Sequence, residues 1–547
     1  MYNDFPKKGE QGVRFLYFSE DPTVSCVSVA GTFNCWNHDR NYMTKTGENE
    51  WELELSLPKG RHLYKIVVND EQWILDPRNS NISEDEQNNS SITVTEDGEV
   101  LIRTTDISED NPGYLYENLR AIESPDWIKK AVIYELHIRA FTENGFRGLT
   151  DKLTYFKKLG INVLWIMPFQ EVGVEQRIGR YGDPYAVKDY YSLDRSYGTM
   201  EELKTFIREA HKQEIRVIMD WVMNRGSVDH VWTKDHPTYF TQNENKEVYY
   251  EVPNRSYFAG LNFSNREMRK AVIQAMSYWI SECDFDGFRL DDSDITPFDF
   301  LSEIRTELNK VKDDLVIISQ SYDEYHHLES CDLTYDGNPR LLLNEMKEGR
   351  LTQRGFAQIY QSYTYSFPQG ALRMSWLEEK ELSRVGSYLR QMAMPAATIL
   401  LTLKGIPMLM MGQEFNESTY QTWISLFEEY KLDWEHFDES MYEHYQFLIA
   451  LRTNCEAFWQ GDLRFIPNPE EKVLSYMRSS RDERYLVLVN LSEEDVGVAY
   501  LGESSSRIDL SLNKEVIYRT GKAQAAALNH KESLFIQAFE TLIYKLV

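Results

Sequence analysis

The stretch Val132-Ile-Tyr-Glu-Leu-His-Ile138 is the first of eight short apolar segments that decide the fold of this chain. The others are Asn162-Val-Leu-Trp-Ile-Met167, Arg216-Val-Ile-Met-Asp-Trp221, Gly287-Phe-Arg-Leu-Asp291, Leu315-Val-Ile-Ile-Ser319, Cys331-Asp-Leu-Thr-Tyr-Asp336, Gly370-Ala-Leu-Arg-Met-Ser-Trp376 and Ile406-Pro-Met-Leu-Met-Met411. Amphipathic helical patterns alternate with these segments. Strand–helix alternation indicates a parallel sheet, and eight repeats predict a closed (β/α)8 TIM barrel, an α/β fold.

Short strands flank this region on both sides. Residues 10–102 contain strand patterns such as Gln11-Gly-Val-Arg-Phe-Leu-Tyr-Phe18 and Trp51-Glu-Leu-Glu-Leu-Ser-Leu57, separated by turn signals, which predict an immunoglobulin-like β-sandwich. A linker rich in charge, Pro and Gly is predicted over 103–126. The barrel is then expected over 127–458, with a short insertion at 226–260, and a C-terminal β-sandwich over 459–547.

Composition excludes several classes of partner. The net charge of −28 repels phosphate backbones and anionic membranes, so no nucleic acid or membrane partner is expected. No apolar run is long enough to span a bilayer, and no apolar signal segment opens the chain, which predicts a cytoplasmic protein. Five scattered Cys indicate neither a disulfide framework nor zinc. Aromatic residues make up 13 % of the chain, which suits a carbohydrate ligand and equally suits a large core.

Several strand ends carry motifs of a known family. Asp220-Trp-Val-Met-Asn224, Gly287-Phe-Arg-Leu-Asp291, Pro184-Tyr-Ala-Val-Lys-Asp-Tyr190 and the segment from Gly405 to Glu414 resemble signature regions of glycoside hydrolase family 13, the α-amylase family. Near the N-terminus, Gly31-Thr-Phe-Asn-Cys-Trp36 is similar to a glycogen-binding module of carbohydrate-binding family 48. The resemblance covers roughly residues 20–545 and implies α-glucan, as starch, glycogen or maltooligosaccharide, as the ligand.

The resemblance also implies a retaining mechanism, in which one carboxylate attacks the sugar and a carboxylic acid protonates the leaving oxygen. Asp291 matches the nucleophile, and Arg289 matches the arginine that orients it. The general-acid position holds Gln320, whose amide has no ionisable proton, and loss of a general acid costs ~10²–10⁴-fold. In the triplet after the seventh strand, Lys380 replaces a His and Glu381 replaces the Asp that supplies a third carboxylate.

Other family positions concern binding. Tyr185 matches the aromatic residue that stacks under the sugar, and Lys380 and Arg225 each replace a His that binds its hydroxyl groups. Asp220 and Asn224 match residues that stabilise the loop after the third strand. In many relatives this Asn also helps to bind calcium, but Arg225 stands next to it here. We therefore expect no metal or other cofactor, with a calcium ion near Asn224 as the alternative.

In the N-terminal module, the resemblance implies that Trp36 and Trp73 stack on the apolar faces of glucose units. Lys65 and Asn89 are expected to form hydrogen bonds with sugar hydroxyl groups. The alternative is a purely structural sandwich that binds no sugar.

Three functions remain open from the sequence. The first is a non-catalytic α-glucan-binding protein, a regulatory or scaffolding partner of an active homologue or of a second copy of the chain. The second is an active α-glycosidase or transglycosylase that uses Asp291 and a non-standard acid, for which Asp292, Asp323 and Glu324 are candidates. The third is a barrel that binds another protein and no sugar.

Overall fold

The computed structural model describes residues 5–19, 21–34, 36–58, 60–79, 89–95, 98–101, 119–250, 252, 254–422, 424–499, 514–521 and 533–546. The chain divides into two compact units, one of residues 1–119 and 351–369, the other of residues 120–350 and 370–547. The sequence had placed 351–369 inside the barrel domain, whereas its contacts group it with the first unit. Most of the predicted linker, up to residue 118, and Cys35 lie outside the described residues.

Within its described residues, the first unit contains nine strands in two sheets, and its core lies between them. The strands are β1 (Lys7–Lys8), β2 (Val13–Phe18), β3 (Val27–Gly31), β4 (Thr44–Lys45), β5 (Glu50–Leu55), β6 (Gly60–Val68), β7 (Gln72–Ile74), β8 (Ser90–Val94) and β9 (Val100–Leu101). One sheet has the order β1-β2-β5-β4, and the other has the order β3-β6-β8-β9 with β7 paired to β6. Phe15 and Trp51 of the first sheet pack in one core with Tyr64 and Ile66 of the second. The predicted N-terminal sandwich is present.

The second unit begins with the eight barrel strands and a hairpin between the third and fourth of them. They are β10 (Ile133–Leu136), β11 (Val163–Ile166), β12 (Arg216–Val222), the hairpin strands β13 (Arg225–Ser227) and β14 (Phe258–Gly260), β15 (Gly287–Asp291), β16 (Val316–Ser319), β17 (Leu333–Asp336), β18 (Leu372–Trp376) and β19 (Ile406–Met410). Parallel pairing closes the ring, because β10 pairs with both β11 and β19. All eight segments predicted as barrel strands are confirmed.

Helices follow the barrel strands and cover their outer faces. The α-helices of this unit are Asp126–Lys129, Ile138–Phe141, Gly145–Asp151, Leu153–Leu159, Met200–Lys212, Val231–Asp235, Arg266–Cys283, Phe298–Leu308, His326–Glu329, Asn338–Lys347, Val385–Tyr388, Ala393–Thr402, Ile424–Phe427, Glu439–Asn454 and Glu456–Trp459; Gln353–Tyr365 lies in the first unit. Helix Met200–Lys212 starts at a capping box formed by Thr199 and Glu202, and it buries Leu203 and Phe206. None of the described helices is long and apolar enough to cross a membrane.

In the part of the C-terminal region that the structure describes, there are seven further strands. They are β20 (Asp462–Phe465), β21 (Val473–Ser479), β22 (Arg484–Asn490), β23 (Val496–Ala499), β24 (Lys514–Arg519), β25 (Ser533–Ile536) and β26 (Thr541–Leu546). Five of them form a sheet in the order β20-β21-β22-β26-β24, and β23 pairs with β25. Leu486 and Leu542 of the larger sheet share a core with Val498 and Ile536 of the smaller one, as the predicted sandwich requires.

The barrel interior changes from apolar to polar toward the carboxyl ends of its strands. Ile133, Ile218 and Met408 belong to a buried apolar cluster inside the barrel. Successive residues of a strand point to opposite faces, so Gly287, Arg289 and Asp291 share one face of β15. The last two are therefore ionisable residues buried at the face where a TIM barrel carries its active site.

Candidate functional site

Asp291 and Arg289 form a buried ion pair at the end of β15. Arg289 Nη1 donates a hydrogen bond to Asp291 Oδ1 over 2.6 Å. The same nitrogen lies 3.0 Å from Asp220 Oδ1, and Arg289 Nε lies 3.0 Å from the Tyr335 hydroxyl oxygen. Arg289 is fully buried, and these partners fix its position. It therefore holds one oxygen of the predicted nucleophile.

The second oxygen of Asp291 is held by Arg225, the residue that replaces a family His. Arg225 Nη2 donates to Asp291 Oδ2 over 2.7 Å, and Arg225 Nη1 contacts both Asn224 Oδ1 and the Asp292 carboxylate. The ring of Phe258 lies 4.7 Å from the guanidinium carbon. Burial acts to raise the pKa of Asp291, but the charges of Arg225 and Arg289 outweigh it and lower that pKa. Asp291 is thus a carboxylate with both oxygens accepting hydrogen bonds from arginines.

Gln320, at the predicted general-acid position, directly follows β16. Its amide oxygen accepts a hydrogen bond from the backbone N–H of Asp292 over 2.9 Å. This contact joins the ends of two neighbouring barrel strands, because β15 pairs with β16. Gln320 therefore lies beside Asp292, which directly follows Asp291 and the end of β15, but its side chain offers only amide N–H groups as donors.

Lys380 and Glu381 follow β18 and differ in exposure. Lys380 is 1 % exposed, whereas the Glu381 side chain is 47 % exposed. The Lys380 ammonium lies 3.7 Å from a carboxylate oxygen of Glu381 and 3.7 Å from one of Glu379. Its Nζ lies 5.1 Å from the centre of the Tyr185 ring. The replacement for the family His thus brings a permanent positive charge against the predicted sugar platform.

A hydrogen bond joins Tyr185, the ring next to the Lys380 ammonium, to Asp220. The Tyr185 hydroxyl donates to Asp220 Oδ2 over 2.9 Å, and Trp165 Nε1 donates to the same oxygen over 3.0 Å. Together with the contact from Arg289, these bonds occupy both oxygens of Asp220, which is fully buried. Asp220 was predicted among the substrate-binding positions. In the structure it orients the groups around it and does not face solvent.

Two further buried carboxyl groups belong to this region, and sequence reasoning missed both as site residues. Glu135 lies on β10, where burial raises its pKa to about 8. Asp183 accepts a hydrogen bond from the Tyr185 backbone N–H over 2.9 Å, and burial raises its pKa to about 6. The only signal for Glu135 was a charged residue in an apolar strand. Asp183 lies two residues before Tyr185, and nothing in the sequence distinguished it from a turn residue.

The position matched to a calcium ligand does not suit a cation. Asn224 Oδ1 accepts a hydrogen bond from Arg225 over 2.6 Å, so its oxygen is engaged by a positive group. Across the described ranges, no three His, Cys, Asp or Glu side chains come together as metal ligands. A calcium ion at Asn224 would face the Arg225 charge directly, and no step of the chemistry is assigned to it.

The predicted sugar platform of the N-terminal unit lies on one face of its second sheet. Residues paired across antiparallel strands share a face of the sheet, so Trp73 lies on the same face as its partner Val67. Lys65 lies two residues before Val67 on β6 and therefore also lies on this face. Trp73 is 40 % exposed. Trp36 follows β3 with a φ of 58°, a left-handed conformation that is uncommon for a large residue. Trp73 and Lys65 therefore share one face of this sheet, and Trp36 lies in the turn after β3.

Two other residues of that unit differ from the expectation or add to it. Asn89 is buried to 3 % exposure, so the structure does not offer it to a ligand as openly as Trp73. Tyr42, which the sequence did not single out, is 42 % exposed and pairs with Ser28 of β3. Its hydroxyl donates to Asp70 over 2.8 Å, which fixes the ring. Because Ser28 also pairs with Val67, Tyr42 lies on the face of Trp73.

Comparison with known proteins covers both regions. A family profile described as the α-amylase catalytic domain matches residues 141–257, and one described as the glycogen recognition site of AMP-activated protein kinase matches residues 21–99. The chain is 26 % identical over 491 residues to α-amylase 3 of Dictyoglomus thermophilum, covering 77 % of this chain and 94 % of the relative.

Solved structures show the same likeness. A noncanonic maltogenic α-amylase from Thermotoga neapolitana is 30 % identical with a TM-score of 0.67, and the match covers 76 % of this chain and 96 % of that one. An α-amylase from Lactobacillus plantarum has the same TM-score at 22 % identity, covering 77 % and 99 % of the two chains, and shows a common fold.

Proposed function

Because the chain belongs to the α-amylase family, glycoside hydrolase family 13, and carries a glycogen-recognition module, we propose that its barrel binds α-glucan and hydrolyses it slowly or not at all. The observation that carries this proposal is the state of Asp291. Both of its oxygens accept hydrogen bonds from buried arginines, at 2.6 and 2.7 Å. A nucleophile in this state must give up a charge-assisted hydrogen bond before it can attack a sugar.

The proton supply supports the same conclusion. Cleavage of an unactivated glucan needs an acid at the leaving oxygen, and the matching residue is Gln320. Its amide oxygen is used by the Asp292 backbone, so the side chain can bind a sugar oxygen only through its N–H groups. Absence of the acid costs ~10²–10⁴-fold in rate. This loss acts in addition to the restraint on Asp291.

Recognition of a sugar depends on other groups. Tyr185 is held by Asp220, and Lys380 places an ammonium beside that ring. An aromatic face and a charged donor are the groups that bind the apolar face and the hydroxyl groups of a pyranose. In the module, the exposed Trp73 supplies a second aromatic face. The module therefore offers an exposed aromatic face to glucan, and the barrel offers one only where a sugar reaches Tyr185 and Lys380, which are 4 % and 1 % exposed.

The second candidate is an active retaining α-glycosidase or transglycosylase, and Asp183 is the observation in its favour. This carboxyl group is 6 % exposed, and the charges of Arg225 and Asp291 both act on it. Its raised pKa means that part of the population carries a proton near pH 6. If Asp183 reached the leaving oxygen, it would supply the missing proton.

A paired binding and turnover experiment separates these functions. Purified protein is titrated with maltotetraose by calorimetry, and the same mixture is assayed for reducing ends. We expect binding with turnover at least ~10²-fold below that of an active relative, from the missing acid. Turnover at the rate of the Thermotoga neapolitana enzyme, abolished by Asp183→Asn, would support the second candidate. Absence of any glucan binding would contradict both.

The expected cytoplasmic location and the association with an active homologue or a second copy of the chain belong to this proposal. Cell fractionation tests the first, and the mass of the native particle in the presence and absence of the homologue tests the second.

A further inference from the structure

Glu135 is a buried acid whose carboxyl group forms no hydrogen bond with any residue that the structure describes. It lies near the carboxyl end of β10 and pairs in register with Trp165 of β11. Its side chain is fully buried, and within the described residues neither carboxyl oxygen forms a hydrogen bond. Nearly all buried polar groups in folded proteins are satisfied, so two unsatisfied oxygens on one side chain require an explanation.

Lys380 presents the complementary situation. Its ammonium is also buried, and in the described part of the chain Nζ forms no hydrogen bond. The two nearest carboxylates, of Glu379 and Glu381, lie 3.7 Å away, beyond hydrogen-bond distance. The Lys380 ammonium lies 5.9 Å from the centre of the ring of Trp165, the residue that pairs with Glu135, and its charge acts to lower the pKa of Glu135. An unsatisfied acid and an unsatisfied ammonium therefore act on each other across the polar end of the barrel.

We propose that Glu135 is a positioning residue of the barrel pocket. When its carboxyl group is neutral, the Lys380 ammonium remains directed toward Glu379, Glu381 and a bound glucose unit. When the carboxyl group ionises, it attracts that ammonium toward β10 and away from the sugar, and glucan binding weakens. This inference rests on the proposed function, because it assumes that the barrel binds glucan.

Glu135 is the group in this cluster whose change of charge with pH we expect to control glucan binding. The charged groups around it are Arg289, Asp220, Lys380 and Glu379, and the titratable hydroxyls are those of Tyr185, Tyr335 and Tyr420. Burial raises the pKa of all three tyrosines above their ordinary value near 10. Burial and Arg289 act to lower the pKa of Lys380, but two neighbouring carboxylates outweigh them and raise it. The tyrosines therefore stay neutral and Lys380 keeps its charge between pH 6.5 and 9.0. Burial raises the pKa of Asp220, but the hydrogen bonds that it accepts from Arg289, Tyr185 and Trp165 stabilise its ionised form.

Glu379 is the one neighbour that needs a separate control. Burial raises its pKa as well, while Lys380 acts to lower it. Its Oε1 accepts a hydrogen bond from the Glu381 backbone N–H over 3.1 Å, which stabilises the ionised form. Glu135 has no such bond. A Glu379→Gln variant therefore distinguishes the two acids.

The test measures maltotetraose binding by the full-length chain that carries Trp36→Ala and Trp73→Ala, so that the module contributes little. This double variant is called the parent. With the pKa of Glu135 at about 8, its carboxyl is mostly neutral at pH 6.5 and mostly ionised at pH 9.0. We expect affinity to fall by about tenfold between these pH values, the limit if only the neutral form binds. Added Glu135→Gln, an uncharged isostere, should change its affinity by less than about twofold between pH 6.5 and pH 9.0.

Further variants make the result independent of folding defects. If Glu135→Gln fails to fold, judged by its melting temperature, Glu135→Met replaces it and should also give a flat profile. Glu379→Gln should keep the pH response, because Glu135 still titrates. Lys380→Met should bind weakly at both pH values and lose the response.

Three outcomes would overturn the inference. Glu135→Gln could keep the full pH response, or lose affinity equally at both pH values as a merely structural residue would. Alternatively, the response could vanish in Glu379→Gln and persist in Glu135→Gln. If the parent does not bind maltotetraose at either pH while the intact chain binds glycogen, the proposed barrel function itself fails, and this inference falls with it.

Discussion

The restraint of Asp291 by Arg225 leads to a quantitative prediction for Arg225→His, which restores the family residue. The Arg225 Nη2 to Asp291 Oδ2 bond of 2.7 Å must break before that oxygen attacks a sugar. A hydrogen bond to a charged group contributes about 1.5–3 kcal/mol. At 1.36 kcal/mol per factor of ten, its removal raises the rate of attack by about 10- to 150-fold.

The assay must isolate nucleophilic attack from proton supply. α-Maltosyl fluoride serves this purpose because fluoride leaves without a general acid, so Gln320 does not limit the reaction. The measured quantity is the rate at which a maltosyl adduct forms on Asp291, followed by intact-protein mass spectrometry and located by peptide mapping. We expect Arg225→His to form this adduct about 10- to 150-fold faster than the wild type.

A matched variant controls for the loss of a buried arginine. Arg269 is 6 % exposed and donates to Asp299 over 2.7 Å outside the pocket. Arg269→His should destabilise the fold without accelerating adduct formation. With maltotetraose as the substrate, Arg225→His alone should raise the rate of hydrolysis little. Adding Gln320→Glu supplies a general acid, which should raise that rate by ~10²–10⁴-fold. A folded Arg225→His protein that reacts with the fluoride no faster than the wild type would refute the reasoning.

Three other predictions concern the module, the stability of the barrel and metal binding. Trp73→Ala should weaken glycogen binding by about tenfold, because it removes an exposed stacking face. Phe18→Ala removes a similarly exposed ring from the other sheet and should not weaken glycogen binding. Affinity electrophoresis in glycogen gels measures both variants. In the folded chain the pKa of Asp286 is lowered to about 2. Burial acts to raise this pKa, but the contacts of the carboxylate with a His and a Lys lower it by more. The ionised Asp286 therefore stabilises the fold above pH 4, and this effect is lost as pH falls through 2. At pH 7, Asp286→Asn should lower the free energy of unfolding by about 2–3 kcal/mol. Below pH 4 the same substitution should cost progressively less. The half-exposed Asp314→Asn should cost less than about 1 kcal/mol in the same denaturant titrations. Calcium or a chelator should leave the melting temperature unchanged, because the Asn224 oxygen already accepts a hydrogen bond from an arginine; a calcium-dependent rise of several degrees would contradict this.

The sequence predicted much of the candidate site because its residues stand at strand ends. Arg289 and Asp291 are two residues apart on one strand, so alternation alone places them on one face. Gln320 follows a strand that neighbours theirs, and the structure brings it to the Asp292 backbone. The sequence could not predict that Asp220 is fully buried, since its burial depends on Trp165 of β11 and on Tyr185 of the loop that follows β11.

By itself, the sequence determined the eight-stranded barrel, both flanking sandwiches and the chemical identity of the groups at the carboxyl ends of the strands. These follow from local periodicity and from side-chain type, which do not require knowledge of the fold. Only the tertiary structure decided that Arg225 takes the second oxygen of Asp291, 66 residues away, and that Lys380 lies near the ring of Trp165, the residue that pairs with Glu135. Closure of the barrel sets which side chains from distant strands meet, and no local pattern contains that information.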